Sequence, residues 1–156
     1  QNNELDQAMI SVEKAIGADP RFFNAFANKG AILARLGRDK EAIAAFRNAI
    51  TLNPEFADAY VPLGALYEKQ GKTPYAKKHY AIAVQLYLQL LQKEPDNPHH
   101  AANLAVALFL KGDRPAALER LNTFLSSHPS DEMLARVKSK IEASDRNGLL
   151  PQRSLN

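Results

Sequence analysis

The chain has 156 residues, no cysteine, and 20 basic against 17 acidic residues, which gives a formal net charge of +3. Its length fits one domain with a sizeable hydrophobic core, and the lack of cysteine excludes disulfides and cysteine-ligated metals. Basic and acidic residues alternate, so the charge predicts a solvated surface and not the continuous basic stripe that nucleic acid requires. No apolar run reaches the ~18 residues of a membrane span.

The part of the chain that ends at Pro54 contains three helical patterns. Segment 4–20 has the apolar spacing of one helix and is predicted to be the second half of a helix pair whose first helix is missing. The chain is therefore expected to be a fragment of a longer protein. In segment 21–54, one helix is predicted from Phe23 to Leu36, ended by Gly37, and another from Asp39 to Leu52.

The next segment, 55–95, is seven residues longer than its predecessor. Pro62 falls inside its first predicted helix, where it removes a backbone donor and is expected to kink the helix. Because seven residues are close to two helical turns, the insertion is predicted to lengthen the second helix without rotating its apolar face. That helix is predicted from Pro74 to Lys93, roughly 10 Å longer than its counterparts.

The last part of the chain contains one more helix pair and a final single helix. Segment 96–129 repeats the two-helix pattern, with its first helix predicted from Pro98 to Lys111. Ser130 is predicted to cap a last helix within 130–145, whose single apolar stripe suits the end cap of a repeat array. Residues 146–156 have no apolar period and are predicted to form a flexible tail.

The positions of the prolines show a regular period. Pro20 and Pro54 are 34 positions apart, as are Pro95 and Pro129, and this period is typical of stacked helix-turn-helix repeats. Small and aromatic or aliphatic residues recur at matching places in three copies: Phe26, Gly30, Leu33, Ala42, Phe46 and Ala49; Tyr60, Leu63, Gly64, Tyr67, Ala76, Tyr80 and Ala83; Ala101, Leu104, Ala105, Leu108, Ala117, Leu121 and Phe124.

This pattern resembles that of the tetratricopeptide repeat family over residues 1–129, although Lys29 and Ala101 depart from the family motif. The resemblance implies an all-α fold, a right-handed superhelical solenoid of antiparallel helix pairs. It would form a single domain over residues 1–145 with a C-terminal capping helix. The resemblance also implies a non-enzymatic scaffold or adaptor that binds a partner peptide or protein in its concave groove.

No pattern in the sequence points to catalysis or to a bound metal. His99 and His100 are adjacent, and adjacent helical residues point about 100° apart, so they are predicted to be an exposed pair and not a chelate. The chain has no phosphate-binding loop, dinucleotide fingerprint or nucleophile elbow. We therefore predict no enzyme activity, no cofactor and no metal site.

In proteins similar to this one, the first helix of each repeat lines the concave groove. Projection of the three first helices places these polar residues on that face: Asn24, Asn28, Arg35, Asp58, Lys69, His99 and Asn103. Asparagine offers a peptide backbone both a donor and an acceptor; alternatively, Asn28 and Asn103 hydrogen-bond within their helices or to water. Some family members hold a ligand carboxylate with Asn, Lys and Arg in this row, and Pro62, Asp58 and His99 make that clamp incomplete here.

A second hypothesis assigns the lengthened helix 74–93 to self-association. The helix that follows it is too short to cover it, so Tyr87, Leu88 and Leu91 are predicted to contact a partner or a second copy, as in a homodimer, or else to pack within the chain. In either case the partner is expected to be a protein or peptide. The composition fits the cytoplasm and the periplasm equally.

Overall fold

The described part of the chain is helical. The structure, a computed structural model, describes residues 2–144. Within them lie eight α-helices, one 3₁₀ turn and no strand: α1 (Asn2–Ala18), α2 (Phe23–Arg35), α3 (Asp39–Leu52), the 3₁₀ turn Ala57–Ala59, α4 (Tyr60–Lys69), α5 (Thr73–Lys93), α6 (Pro98–Lys111), α7 (Arg114–Ser127) and α8 (Glu132–Ala143). The predicted all-α helical-repeat fold is confirmed.

The first helix of each repeat ends in the same hydrogen-bonded turn. Gly37, Gly71 and Gly112 have φ angles of 74°, 73° and 106°, the left-handed region that glycine enters without a side-chain clash. The amide after each glycine donates at 2.9 Å to the carbonyl five residues before it: Arg38 to Leu33, Lys72 to Tyr67, and Asp113 to Leu108. These bonds satisfy carbonyls at the helix end and turn the chain towards the second helix.

Two glycines allow paired helices to approach closely. A Cβ built at Gly30 would lie 2.9 Å from ring carbons of Phe46, and one built at Gly64 would lie 2.5 Å from Cε1 of Tyr80. Both rings are buried, with 2% and 0% of their surface exposed. The rings therefore fill the seams between α2 and α3 and between α4 and α5, where the missing side chain leaves room.

The seven inserted residues lengthen α5, as predicted. This helix has 21 residues, against 14 in α3 and 14 in α7, an excess of about 10 Å at 1.5 Å per residue. Ala76, Tyr80, Ala83 and Tyr87 are all at most 2% exposed, because residues three, four or seven positions apart share a helix face. The extension therefore continues the buried face of the helix.

The chain divides into two compact units, with the boundary after Ile82, inside α5. Leu33 and Phe46 belong to the core of the first unit, each 2% exposed. In the second unit Leu104 and Leu121 are buried, 1% and 0% exposed. Each unit thus has buried apolar residues of its own, and the single domain over residues 1–145 stays a prediction.

Pro62 lies in the first turn of α4, after the separate 3₁₀ turn. One repeat period earlier, the place of Ala57 is taken by Phe23, where α2 is already a regular helix. Proline has no amide hydrogen, so Pro62 cannot donate to the carbonyl of Asp58 as an α-helix would require. The structure therefore shows a change from 3₁₀ to α geometry before Pro62, and the kink predicted within the helix stays a prediction.

The last helix, α8, is capped by Asp131, so the prediction of Ser130 as the cap is wrong. Asp131 Oδ1 accepts from the Leu134 amide at 2.9 Å, and its negative charge also suits a helix N-terminus. Near the other end, Arg114 Nη2 donates to the carbonyl of Glu142 at 2.6 Å, which satisfies one of the terminal carbonyls. Residue 145 and the predicted tail 146–156 lie outside the described residues.

Candidate binding site

Two of the three predicted groove residues on α2 line a cleft between α1 and α2. Asn28 and Arg35 are exposed and line this cleft, whereas Asn24 is half-buried and lies outside its lining. Asn28 and Arg35 are seven residues apart, which is two turns and about 10 Å along one face of the helix. A ligand lying along α2 could therefore contact both.

The cleft has a volume of about 360 Å³ and combines apolar and polar side chains. Its lining comes from two helices: Ala8, Ser11 and Val12 of α1, and Asn28, Ala31, Ile32 and Arg35 of α2. The spacing within each helix follows one face, because residues three, four and seven apart lie on the same side. Two alanines at the surface keep the cleft open where larger side chains would fill it.

The polar side chains of the cleft are available to a ligand. Asn28 and Arg35 make no side-chain hydrogen bond or ion pair with any residue in the 2–144 range. Ser11 Oγ donates to the Gln7 carbonyl at 3.0 Å, and its oxygen can still accept. A ligand in the cleft could therefore form hydrogen bonds with the amide of Asn28, which both donates and accepts, with the hydroxyl oxygen of Ser11, which accepts, and with the guanidinium of Arg35, which donates.

Arg35 supplies the positive charge of the cleft. The nearby Lys29 is already paired, because its Nζ lies 3.2 Å from Glu13 Oε1, and this pair links α2 to α1. A cation without a partner at the edge of an apolar cleft favours an acidic group on whatever binds there.

The predicted groove residues of the second repeat have different surroundings. Asp58 is exposed in the 3₁₀ turn. Lys69, at the end of α4, places Nζ 2.6 Å from Oδ2 of Asp39, at the start of α3. The charge of Lys69 is thus engaged by a carboxylate of this chain, so Lys69 is not a free cation for a ligand.

The predicted groove residues of the third repeat lie on α6, in the second unit. His99 is exposed, and its amide donates to Asn97 Oδ1 at 3.0 Å, where Asn97 caps the helix. Asn103 is half-buried. A role of His99 and Asn103 in binding stays a prediction.

The three residues proposed for self-association differ in exposure. Tyr87 is 2% exposed, and its ring centroid lies 6.4 Å from that of His100. Of the two alternatives for Tyr87, packing within the chain is the one that its burial supports, because Tyr87 continues the buried face of α5. Leu88 and Leu91 are half-buried and keep part of their surface accessible.

Tyr60 and Tyr80 have raised pKa values, and neither residue lines the cleft. Burial raises the pKa of Tyr60, whose hydroxyl donates to the Pro54 carbonyl at 2.7 Å. The pKa of Tyr80 is raised far above its usual range, mainly by burial. The hydrogen bond that its hydroxyl donates to Glu68 Oε2 at 2.8 Å and the negative charge of that carboxylate raise it further. Both hydroxyls are neutral donors at physiological pH and serve the packing of the repeats.

The lining of the cleft consists of apolar side chains with one amide, one hydroxyl and one guanidinium group. Within residues 2–144, no group of three or more His, Cys, Asp or Glu side chains is placed to hold a metal ion. Over the same range, no helix has both the length and the hydropathy to cross a membrane. What the cleft presents is apolar surface, hydrogen-bonding groups and a single positive charge.

Sequence reasoning missed the contribution of α1 to this site. Ala8, Ser11 and Val12 supply one wall of the cleft, but only first helices of repeats were expected to line a groove. A signal was present, because Ala8, Val12 and Ala15 match the second-helix pattern and so share one face of α1.

Comparisons with known proteins agree with the helical repeat. A family model described as TPR repeat matches residues 30–71, and one described as Tetratricopeptide repeat matches residues 75–141. No curated protein sequence matches the chain at a significant level.

Solved structures similar to this chain include repeat proteins from two bacteria and a protein without a stated source. A thermophilic TPR protein from Thermus thermophilus has 18% identity and a TM-score of 0.66, over 91% of this chain and 75% of that one. A tetratricopeptide repeat protein from Parabacteroides merdae has 19% identity and a TM-score of 0.62, over 90% of this chain and 52% of that one. The protein MamA has 22% identity and a TM-score of 0.51, over 90% and 72%. At these identities the likeness concerns the fold alone.

Proposed function

We propose a function from the premise that this chain belongs to the tetratricopeptide repeat family, whose repeats generally mediate protein–protein interaction. Proteins built from such repeats are typically non-enzymatic scaffolds. On that premise the chain is a protein-binding module, and its α1–α2 cleft receives a segment of a partner protein.

The observation that supports this proposal is the pair of polar side chains in the cleft that have no partner in the described chain. Asn28 can donate to and accept from a peptide backbone, and Arg35 can hold a carboxylate through two parallel hydrogen bonds. Between them, Ala31 and the alanine and valine of α1 leave room for an apolar side chain. The proposed ligand therefore carries an apolar residue with an acidic residue close to it.

Charge distribution favours protein over nucleic acid as the partner. Arg35 is a single cation in an apolar cleft, and the neighbouring Lys29 is paired with Glu13. Phosphate backbones are held by several cations along a continuous path, and binding then weakens steeply with salt. A peptide with one acidic group needs only one cation in its binding site.

The test is a selection from a display library of random peptides, carried out in parallel on the wild type, Arg35→Glu and Arg47→Glu. Arg47 is exposed on α3 and outside the cleft lining, so its variant makes the same charge change away from the site. The wild type and Arg47→Glu are expected to enrich the same acidic, apolar peptides, and Arg35→Glu to lose them.

Affinities of the enriched peptides decide the role of Asn28. Asn28→Ala is expected to weaken binding about fivefold to tenfold, since one hydrogen bond is worth ~1 kcal/mol. If the three proteins enrich the same peptides, or if enriched peptides bind Arg35→Glu as well as the wild type, the cleft is not the site.

A second candidate function is self-association through α5. It is favoured by the unusual length of this helix, 21 residues, and by the accessible surface of Leu88 and Leu91. A concentration-dependent dimer is expected that Leu88→Glu or Leu91→Glu abolishes. A monomeric mass by light scattering at every concentration would rule it out.

A further inference from the structure

Aromatic side chains form a row across α4 and α5, within the first unit. The ring centroid of Tyr67 lies 5.8 Å from that of Tyr75 and 5.2 Å from that of His79. His79 is held in place, because its Nδ1 donates to the Tyr75 carbonyl at 2.7 Å and its ring lies 6.2 Å from the buried Tyr60. At the outer end Tyr75 is 60% exposed, more than any other large hydrophobic side chain of the described residues. The row is therefore anchored at one end and presents a free ring at the other.

The packing of a repeat does not require this row. When Ala42, Ala76 and Ala117 are aligned, aliphatic or charged residues hold the three places in the other repeats: Leu33, Glu41 and Ala45 in the first, and Leu108, Ala116 and Arg120 in the third. Leu33 and Leu108 are buried, so a leucine is sufficient to fill the place of Tyr67. Repeat packing thus leaves the rings of Tyr75 and His79 unexplained.

In the first repeat, the place of Tyr75 holds the acidic partner of a cation. Arg38 donates to the two carboxylate oxygens of Glu41, at 2.7 Å and 2.6 Å. The corresponding places of the second repeat hold Lys72 and Tyr75. Lys72 therefore lacks this carboxylate, and its Nζ lies 5.9 Å from the centroid of the Tyr67 ring, which attracts a cation only weakly at an exposed position. A carboxylate of a ligand could take the place that Glu41 holds in the first repeat.

The charge around Tyr75 is positive. Segment 72–79 contains three lysines and no acidic residue. Lys72 and Lys78 are exposed, and neither forms an ion pair in the described part of the chain. Lys78 shares a helix face with Tyr75, three residues before it. The adjacent acid of α4, Glu68, accepts a hydrogen bond from a buried tyrosine of α5 at 2.8 Å. Two cations without acidic partners thus accompany an exposed ring, and this combination is complementary to an acidic segment.

We propose that these residues form a second binding site, the α4–α5 patch of Tyr67, Lys72, Tyr75, Lys78 and His79, for an acidic segment of a partner protein that carries one aromatic side chain. The aromatic side chain would pack on Tyr75, since pairs of rings attract each other beyond the area that they bury. Carboxylates on either side of it would meet Lys72 and Lys78. The patch is separate from the α1–α2 cleft, and the proposal does not depend on a ligand in that cleft.

The probe is the unlabelled heptapeptide Gly-Glu-Glu-Phe-Glu-Glu-Gly, titrated into the ¹⁵N-labelled 156-residue chain and followed by nuclear magnetic resonance. Amide shifts are expected to change in segment 72–79, with a dissociation constant of about 0.1–1 mM, because exposed ion pairs and one ring contact are each weak. Replacing phenylalanine by alanine should weaken binding about threefold to tenfold. Replacing the glutamates by glutamine should weaken it by a similar factor or more.

Variants of the chain locate the peptide. Tyr75→Ala is expected to weaken binding about threefold to tenfold, whereas Tyr75→Phe keeps the ring and should bind as the wild type does. Lys72→Glu should weaken binding about tenfold, because it turns attraction into repulsion. Two matched controls should leave binding unchanged: Phe22→Ala removes another exposed ring, and Lys14→Glu reverses the charge of another exposed lysine. All of these side chains are exposed, and circular dichroism checks that each variant is folded.

The possible failures are distinct. If the peptide does not bind, or binds Tyr75→Ala as it binds the wild type, the patch is rejected. If its binding is lost in Arg35→Glu and kept in Lys72→Glu, the peptide occupies the cleft, so the patch is rejected and the proposed function is upheld. If it depends on Tyr75 and Lys72 while no library peptide depends on Arg35, the patch is upheld and the cleft is rejected. A single-stranded oligothymidylate is titrated in parallel, and tighter binding than that of the peptide, lost in Tyr75→Ala, would make the occupant a nucleic acid and overturn the proposal.

Discussion

Gly64→Ala should destabilise the first unit, although alanine is the better helix former. A Cβ at this position would lie 2.5, 2.8 and 3.1 Å from Cε1, Cδ1 and Cζ of Tyr80, whereas carbon atoms prefer about 3.5–4.0 Å. The ring cannot move aside easily, because Tyr80 is 0% exposed and its hydroxyl is tied to Glu68 at 2.8 Å. The two helices must separate, or the ring must leave its preferred rotamer.

The magnitude follows from two opposing effects. Overpacking a buried seam costs about 1–3 kcal/mol, and a contact of 2.5 Å lies towards the upper part of that range. Replacing glycine by alanine inside a helix returns about 1 kcal/mol. The free energy of unfolding is therefore expected to fall by about 1–2 kcal/mol. Gly17→Ala is the control, because Gly17 is helical with nothing within 4 Å of the built Cβ, and this change should stabilise by up to about 1 kcal/mol.

Urea denaturation followed by far-ultraviolet circular dichroism measures both variants, with unchanged m values required before the free energies are compared. A third variant tests the cause. In a Tyr80→Leu background, Gly64→Ala should lower the free energy of unfolding by about 1 kcal/mol or more less than it does in the wild type, as measured by a double-mutant cycle. The reason is that leucine and alanine already fit together at these two places in the third repeat, as Leu121 and Ala105. The reasoning would be refuted if Gly64→Ala matched or exceeded the wild type in stability.

Two further predictions concern protonation and capping. The pKa of Tyr80 is raised in the folded chain, as is that of Tyr60, so the stability that their neutral forms provide is complete below about pH 10 and is lost as the pH rises further. Urea titrations at increasing alkaline pH should show this loss as a fall in the free energy of unfolding. Tyr80→Phe removes the ionisable group and should make the free energy of unfolding fall less steeply with pH. An unchanged pH dependence in this variant would contradict the assignment to Tyr80. Asp131→Ala should lower the free energy of unfolding by about 1 kcal/mol, because it removes the α8 cap. The control Ser130→Ala should leave the free energy of unfolding nearly unchanged. Equal effects of the two changes in chemical denaturation would show that Asp131 is not the cap.

The helix boundaries and the turns could be predicted from the sequence, because each depends on residues that are close together in the chain. Gly37 and the residues on either side of it set a helix end, a turn and a helix start within a few positions. The seven inserted residues of 55–95 could be assigned to one helix because they preserve its face, and α5 runs as one helix. These inferences need only the helical period and the conformational preferences of glycine and proline.

Features that depend on contacts between distant residues could not be predicted. Lys69 looked like a free cation, but its partner Asp39 is 30 positions earlier, and only the packing of α3 against α4 brings the two together. The sequence left open whether Tyr87 contacts a partner or packs within the chain, and the structure shows that it is buried in the second unit. Helical periodicity identifies which residues share a face but not which neighbour covers that face.

The same distinction explains why the cleft beside α1 could not be predicted from the sequence. Its lining combines Ala8, Ser11 and Val12 of α1 with residues of α2, and only the packing of the two helices brings these faces together. Arg35, which has no side-chain partner in the described chain, can add specificity by selecting an acidic residue of a ligand.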